Sequence, residues 1–461
     1  MATANRTVFG AEIAPELVDL AQRLVAEATR RGASAAECVI RQGRELSVAV
    51  RRGQTESIKQ AEGSSLGIRA FRGQQAGVTY SSDLAWDAAL RMLDSALAIA
   101  AHASPDPFAG LPRPDQQGCL SADLALYSPA AAQVTPQQAV AWALRAERAA
   151  LDTDPRLTNS DGASVEAGEG TKVLANSNGF AAAVRRSSCS LSVVPIATQD
   201  GAMQRDYWYT LARDPDGMDA PESVGRLAAQ RTLRRLGARK VATARVPVVF
   251  DPQAARSLLG HLLEAVSGES IYREASFLAG KLGHQVAASN FTLLDDGTLP
   301  ARFGSSPFDG EGVPTRRTPV IQDGRLESFL LNCYAARKLS LATTGNASRA
   351  LAGPPGVSCH NLMLAPGPDS PEQIIAAVRQ GLYVTEFIGF GVNAVTGDYS
   401  RGASGMWIED GQLAYPVEEI TVAGNLRDMF RQVTAIGNDP DLRGAINAPT
   451  LLIEGLTVAG R

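Results

Sequence analysis

Apolar residues recur at helical spacing through Leu17, Leu20, Ala21, Leu24, Val25 and Ala28, predicting a helix over 15–31 that Gly32 stops. The period then changes. Residues 36–40, 45–51, 65–71 and 77–80 are short runs carrying β-branched or aromatic residues between glycines, so they predict strands, followed by a helix over about 85–101. Pro, Asp, Ser and Gly crowd residues 104–133, which predicts a long surface connection. Thr135 as N-cap with Pro136 in the first turn opens a helix that runs to Leu151. Residues 160–194 alternate strand-like runs with glycine turns, and 221–236 reads as a helix.

The basic turn Gly237-Ala238-Arg239-Lys240 precedes an apolar run over 246–250 and predicts a boundary between an N-terminal α+β domain, 1–240, and a C-terminal domain, 241–461. Asp251-Pro252 caps a helix over about 253–267; short strands at 320–322 and 326–330 and helices at 371–380 and 426–434 follow. Glycine spread through this half, with few long helices, predicts a mainly antiparallel β domain around one buried helix. The fold class is α+β. A chain of 461 residues exceeds what one core supports, in keeping with two domains.

Charge narrows the partners. With 44 basic against 48 acidic residues, a net charge of −4 and no basic stripe, direct nucleic-acid binding is not expected. Five dispersed cysteines without a C-x-x-C suit a reducing compartment, and the cytoplasm is the expected location. Residues 1–6 lead into a polar amphipathic segment without an apolar signal region, and no run is long and apolar enough to span a membrane.

Residues 304–315, Gly-Ser-Ser-Pro-Phe-Asp-Gly-Glu-Gly-Val-Pro-Thr, set hydroxyls, an aromatic and two carboxylates among three glycines, a composition suited to backbone held in unusual conformations around a ligand. Candidate substrate-binding residues are Ser305, Ser306, Phe308, Asp309 and Glu311, joined by Thr344 and Asn346 of Thr-Thr-Gly-Asn and Asn425 of Ala-Gly-Asn. No nucleophile stands beside a base there, and no G-x-S-x-G elbow surrounds the serines, so no catalytic residue is assigned. The purely structural alternative has Ser305, Ser306 and Asp309 satisfying backbone donors, Phe308 anchored in an apolar pocket, and Arg316-Arg317 pairing with Asp309 and Glu311. Cys359-His360 could be taken for a thiolate-imidazole pair, but sequence neighbours on a strand point to opposite faces.

These segments, with Leu-Leu-Asn-Cys-Tyr-Ala-Ala-Arg-Lys-Leu at 330–339, Ser-Phe-Leu-Ala-Gly-Lys-Leu-Gly at 276–283, Pro-Val-Glu-Glu-Ile-Thr-Val-Ala-Gly-Asn-Leu at 416–426 and Ile-Gly-Asn-Asp at 436–439, resemble the TldD/PmbA family of metallopeptidases, on its TldE (PmbA) side. The resemblance implies a subunit that pairs with a zinc-bearing TldD-type chain as a heterodimer, with a homodimer open to the isolated chain, and acts on small or unfolded peptides. It also implies that zinc sits in the partner, on a helix carrying H-E-x-x-x-H completed by a late cysteine. Here the corresponding helix reads Leu-Gly-His-Leu-Leu-Glu-Ala-Val at 259–266, and no cysteine follows Cys359. A zinc peptidase needs three protein ligands and an open fourth position. No cofactor is therefore expected in this chain, whose role is to shape a cleft that holds an extended peptide by strand addition in the β-rich C-terminal domain. Two alternatives stand beside this: a self-sufficient atypical metallopeptidase using His261, Glu264 and His360, and a non-enzymatic adaptor of the gyrase-modulator type.

Overall fold

A computed structural model describes residues 7–9 and 11–460; residues 1–6, read above for a signal region, lie outside the described residues. The first half is built from β1 (Thr7–Phe9), α1 (Pro15–Arg30), β2 (Ala35–Arg51), β3 (Gln54–Arg72), β4 (Gln75–Ser81), α2 (Trp86–His102), α3 (Pro129–Ala132), α4 (Pro136–Leu151), β5 (Leu157–Asn176), β6 (Phe180–Gln199), β7 (Ala202–Arg205), β8 (Trp208–Ala212) and α5 (Pro221–Leu233). One curled sheet runs β1-β6-β5-β2-β3-β4, with β7 and β8 also on β6; all its pairings are antiparallel except that of β1 with β6. The short strands expected from the sequence are pieces of long ones: β2 is continuous from Ala35 to Arg51, and β5 and β6 form a single hairpin. Helices α1 and α2 cover one end of one face through Leu24, Ile40, Ile68 and Leu93, while α4 and α5 cover the other end through Val48, Val165 and Leu191. Thr135 accepts from the Gln138 amide while Gln138 returns to the Thr135 backbone, the capping box that makes α4 legible.

Residues 104–133 run over the surface as expected, but they are pinned to it at several points. Leu111, Leu124 and Leu126 are buried, and the Leu120 amide donates to Pro307 O at 3.0 Å and the Gly118 amide to Gly312 O at 3.0 Å. Arg337 donates to Phe108 O at 2.7 Å and to Leu111 O. The segment is a strap tying the first half to the second, because its proline-rich backbone leaves polar groups that C-terminal loops satisfy.

The second half comprises β9 (Ala244–Phe250), α6 (Pro252–Val266), α7 (Gly268–Tyr272), β10 (Leu293–Asp296), β11 (Arg317–Gln322), β12 (Arg325–Leu326), α8 (Cys333–Leu339), β13 (Ala347–Ser348), β14 (Gly356–Val357), β15 (Leu362–Leu364), α9 (Pro371–Ala376), β16 (Gln380–Ile388), β17 (Asp398–Glu409), β18 (Gln412–Asn425), α10 (Leu426–Arg431), β19 (Val433–Ile436), β20 (Ile446–Asn447) and β21 (Leu451–Ala459). Strands β18-β17-β16-β9-β21 close into a five-stranded barrel through the β18–β21 pairing, and β12-β11-β10-β15-β20 form a second sheet. Helix α6, capped by Asp251 on the Ala254 amide at 2.7 Å, lies against β9 and β16 of the barrel and β20 of the second sheet, burying Leu258, Leu259, Leu262 and Val266. The expected sheet around one helix is thus a barrel and a sheet with the helix between them. Barrel closure covers part of the strand edge expected there for peptide addition, pairing β18 with β21 over Thr421–Ala423. A longer open edge lies in the first half, where β3 pairs with β4 only from Leu66 onward and residues 54–65 have no outer strand among the described residues.

Candidate functional site

The loop at 304–315 sits where the second half meets the bare face of the long sheet. Phe308, 1% exposed, enters an apolar cluster with Val39, Leu174, Ala182 and Val184, its ring edge-on to Phe180 at 5.5 Å. This is the anchoring expected of it. Gly312 holds φ +86, whereas Gly304 is required by close approach: a Cβ there would stand 1.8 Å from His360 O.

The polar side chains of the loop are turned inward. Asp309 accepts from the Glu311 and Val313 amides at 2.8 and 3.0 Å with one oxygen and from the Ala347 amide at 2.9 Å with the other. The two serines do not satisfy backbone donors: Ser305 donates to Leu299 O and Ser306 to Phe308 O, each at 2.6 Å, because the tight loop leaves carbonyls unpaired. Glu311 accepts from the Cys333 amide at 2.8 Å. Arg316 and Arg317 are exposed and form no ion pair with Asp309 or Glu311; those carboxylates find amides instead. Burial raises the pKa of Asp309, and burial followed by the Asp309 charge pushes Glu311 up to about 7.

Thr344 and Asn346 join the same centre. The Thr344 hydroxyl donates to Asn346 Oδ1 at 2.7 Å and accepts from the Leu331 amide at 2.7 Å; Asn346 Nδ2 donates to Asp295 at 2.6 Å. Asp295 and Asn361, not singled out from the sequence, complete it together with His360. Asp295 accepts from the His360 amide at 2.8 Å, and Asn361 bridges the Gly304 amide at 3.0 Å and Ser305 Oγ at 2.8 Å. The His360 ring nitrogens face Gly304 O at 3.3 Å and Gly345 O at 2.7 Å. Cys359 does not pair with His360: its thiol points to Ala445 O at 3.8 Å, and burial pushes its pKa up to about 12, so it is no thiolate nucleophile. Asn425 lies apart, capping α10 on the Arg427 amide at 3.1 Å and bonding Asp398.

Between this loop system and β2, β3, β5 and β6 lies a cavity of about 770 Å³, which Ser306, Phe308, Asp309 and His360 line. Ser305, Glu311, Thr344 and Asn346 stand behind it as the loop's scaffold.

The metal-binding alternative meets a different geometry. His261 on α6 lies edge-on to Tyr399, with ring centroids 6.0 Å apart, and its Nε2 is buried without a hydrogen-bond partner; burial and then Arg401 lower its pKa. Glu264 is exposed on the same helix, and His360 belongs to the loop centre. Among the described residues no three His, Cys, Asp or Glu side chains gather as a metal-holding group. This donor set does not fit a zinc site.

Three consecutive family models match the chain: PmbA/TldA metallopeptidase domain 1 over 36–100, the central domain over 129–236 and the C-terminal domain over 243–460. The metalloprotease PmbA of Escherichia coli O157:H7 is 38% identical over 461 residues, covering 100% of both chains. This chain belongs to the PmbA/TldD metallopeptidase family. Within the family it is of the PmbA, or TldE-like, type. A Bacteroides thetaiotaomicron protein described as a candidate modulator of DNA gyrase superposes with a TM-score of 0.90 at 27% identity, over 97% of this chain and 100% of that one. TldE from Thermococcus kodakarensis shares the PmbA/TldD fold, with a TM-score of 0.86 at 21% identity over 95% of this chain and 99% of that one. No helix among the described residues is long and apolar enough to cross a membrane.

Proposed function

We propose that this chain is the metal-lacking subunit of a cytoplasmic peptidase assembly, paired with a TldD-type chain that supplies zinc and cleaves small or unfolded peptides. The chain shapes the substrate cleft. The observation that carries this reading is α6, where a histidine with an orphaned Nε2 against Tyr399 and an exposed glutamate stand in place of a three-ligand set, in a chain related to PmbA along its whole length. We also propose the division into domains 1–240 and 241–461, with the cavity between them as the cleft wall.

The open edge of β3 over residues 54–65 supports peptide binding by strand addition, which gives affinity through backbone hydrogen bonds without demanding a sequence. Its inner end, Gly63 to Ser65, lines the cavity.

Co-expression with a TldD-type chain from the same genome tests the reading. The expected result is co-purification, peptide cleavage that needs both chains, and zinc by elemental analysis in the partner. Cleavage by this chain alone, with about one tightly held zinc per chain, would overturn it.

A further inference from the structure

Three cations stand together on the sheet face that forms the cavity floor. Arg41 on β2 is the direct cross-strand partner of Lys172 on β5, and Arg186 on β6 is partnered with Gly170, two residues before Lys172. Like charges placed directly opposite one another destabilise a sheet, and nothing within it offsets them. Lys172 is half-buried and makes no hydrogen bond or ion pair among the described residues; its ammonium stands 5.8 Å from the centre of the Phe308 ring. Arg186 donates to Ser305 O at 2.9 Å, but its Nε is buried and unpartnered. Arg41 reaches only Arg349 O. Asp309, the single carboxylate lining the cavity among the described residues, is occupied by three backbone amides and forms no ion pair with these cations.

Elsewhere on the same sheet the chain treats buried charge differently. Glu37 on β2 holds Arg69 at 2.5 Å and also Arg349, a loop cation that reaches the cavity wall, at 3.1 Å, so these two have a paired carboxylate within the fold where Lys172, Arg186 and Arg41 have none among the described residues. An unpaired cation in a partly enclosed site costs free energy that a bound anion recovers. Burial first, then the charge of Arg186, lowers the Lys172 pKa to about 8 against the weaker pull of the Asp309 charge, the direction expected for an ammonium without a paired counter-ion.

We propose that Lys172, Arg186 and Arg41 form a carboxylate-binding site for the C-terminal carboxylate of an extended peptide held in the cleft. An ammonium and a guanidinium with a free N–H on neighbouring strands can donate to both oxygens of one carboxylate, the charge-assisted arrangement that gives both strength and direction. This rests on the cleft-shaping reading above and adds to it the end of the substrate that this chain recognises.

Calorimetric titration of the full-length chain tests the site with N-acetyl-trialanine, its C-terminal amide, an acetylated and amidated tripeptide with a central glutamate, and inorganic phosphate. The free acid should bind at least about tenfold more tightly than the amide, since one charge-assisted contact is worth about that much. Lys172→Met should erase the difference, Arg41→Gln should reduce it from an exposed position that leaves folding intact, and Arg44→Gln, outside the cavity, should not change it. Lys172→Met should also melt no lower than the parent, because it removes the opposed like charges. Equal affinity for acid and amide, binding of neither, or unchanged discrimination in Lys172→Met would overturn the site. Tighter binding of phosphate or of the internal glutamate would overturn the terminal-carboxylate assignment. These titrations need no partner chain, so a chain that selects the acid yet never assembles with a TldD-type subunit refutes only the function proposed above.

Discussion

The loop centre at 304–315 and the helix at His261 are both polar places inside the second half, and they are built on opposite terms. In the loop centre the buried groups are matched: Asp309, Asn346, His360 and Asn361 each meet two or more partners. At the helix, His261 has an aromatic ring beside it and no partner for Nε2. A matched buried network is lost heavily when one member goes, whereas an unmatched buried polar group can be removed at little cost. Hydrogen bonding, more than the presence of a histidine, therefore separates the part of this half that the fold depends on from the part that it tolerates.

The largest break in that contrast should come from Asp309→Ala, which strands three amides in a buried loop and should lower stability on the order of 4 kcal/mol, read as a fall in the urea midpoint at constant slope. A loss below about 1 kcal/mol would mean that water replaces the carboxylate and the centre is not closed. Phe308→Ala should cost about 3 kcal/mol, with Phe308→Leu recovering most of it, and should weaken assembly with the TldD-type partner in pull-downs; parent-like stability and assembly in both variants would misplace the anchor.

The two centres also differ in the sign of their pH dependence. Because the folded state raises Glu311 from 4.5 to about 7, it binds the proton more tightly than the unfolded chain does; this contribution is full below about 4.5 and is lost as pH rises towards 7. His261 is shifted the other way, so its contribution is present above the ordinary histidine range and is lost as pH falls through its lowered folded value. Urea titrations at a series of pH values should show Glu311→Gln removing a decline towards neutrality and His261→Leu flattening the acid limb. The same slope change in both variants would contradict the assignment. The smallest effect expected is that of His261→Leu near pH 7.5, where stability should stay within about 1 kcal/mol and cleavage by the reconstituted complex within a few-fold of the parent. A loss of several orders of magnitude would bring the self-sufficient metallopeptidase back.

What could be read in advance follows from how locally each feature is encoded. Thr135-Pro136 with Gln138, and Asp251-Pro252, announce α4 and α6 because capping is settled within four residues. Strand length was not legible: Gly43 and Gly63 read as ends of runs, while the ladder passes through both because β2, β3 and β5 pair continuously. Much of the loop centre was visible as a concentration of small polar residues. Its partners Asp295 and Asn361 were not, since they come from β10 and the approach to β15 and carry no local signal. Lys172 does break the apolar run of Val173, Leu174 and Ala175, but only the pairing with Arg41 turns that polar residue into a feature.

Barrel closure sets a timetable for synthesis. Strand β9 begins the second half, yet one of its two neighbours is β21, whose residues are translated last among those described and also pair with β18. While the ribosome is still making the intervening loops, β9 must wait with one edge bare. The first half, whose long sheet is complete by β8, can form meanwhile. Chains stalled or clipped before Leu451 would carry a finished first half beside an open barrel, and such chains are the ones for which a chaperone or a protease would compete.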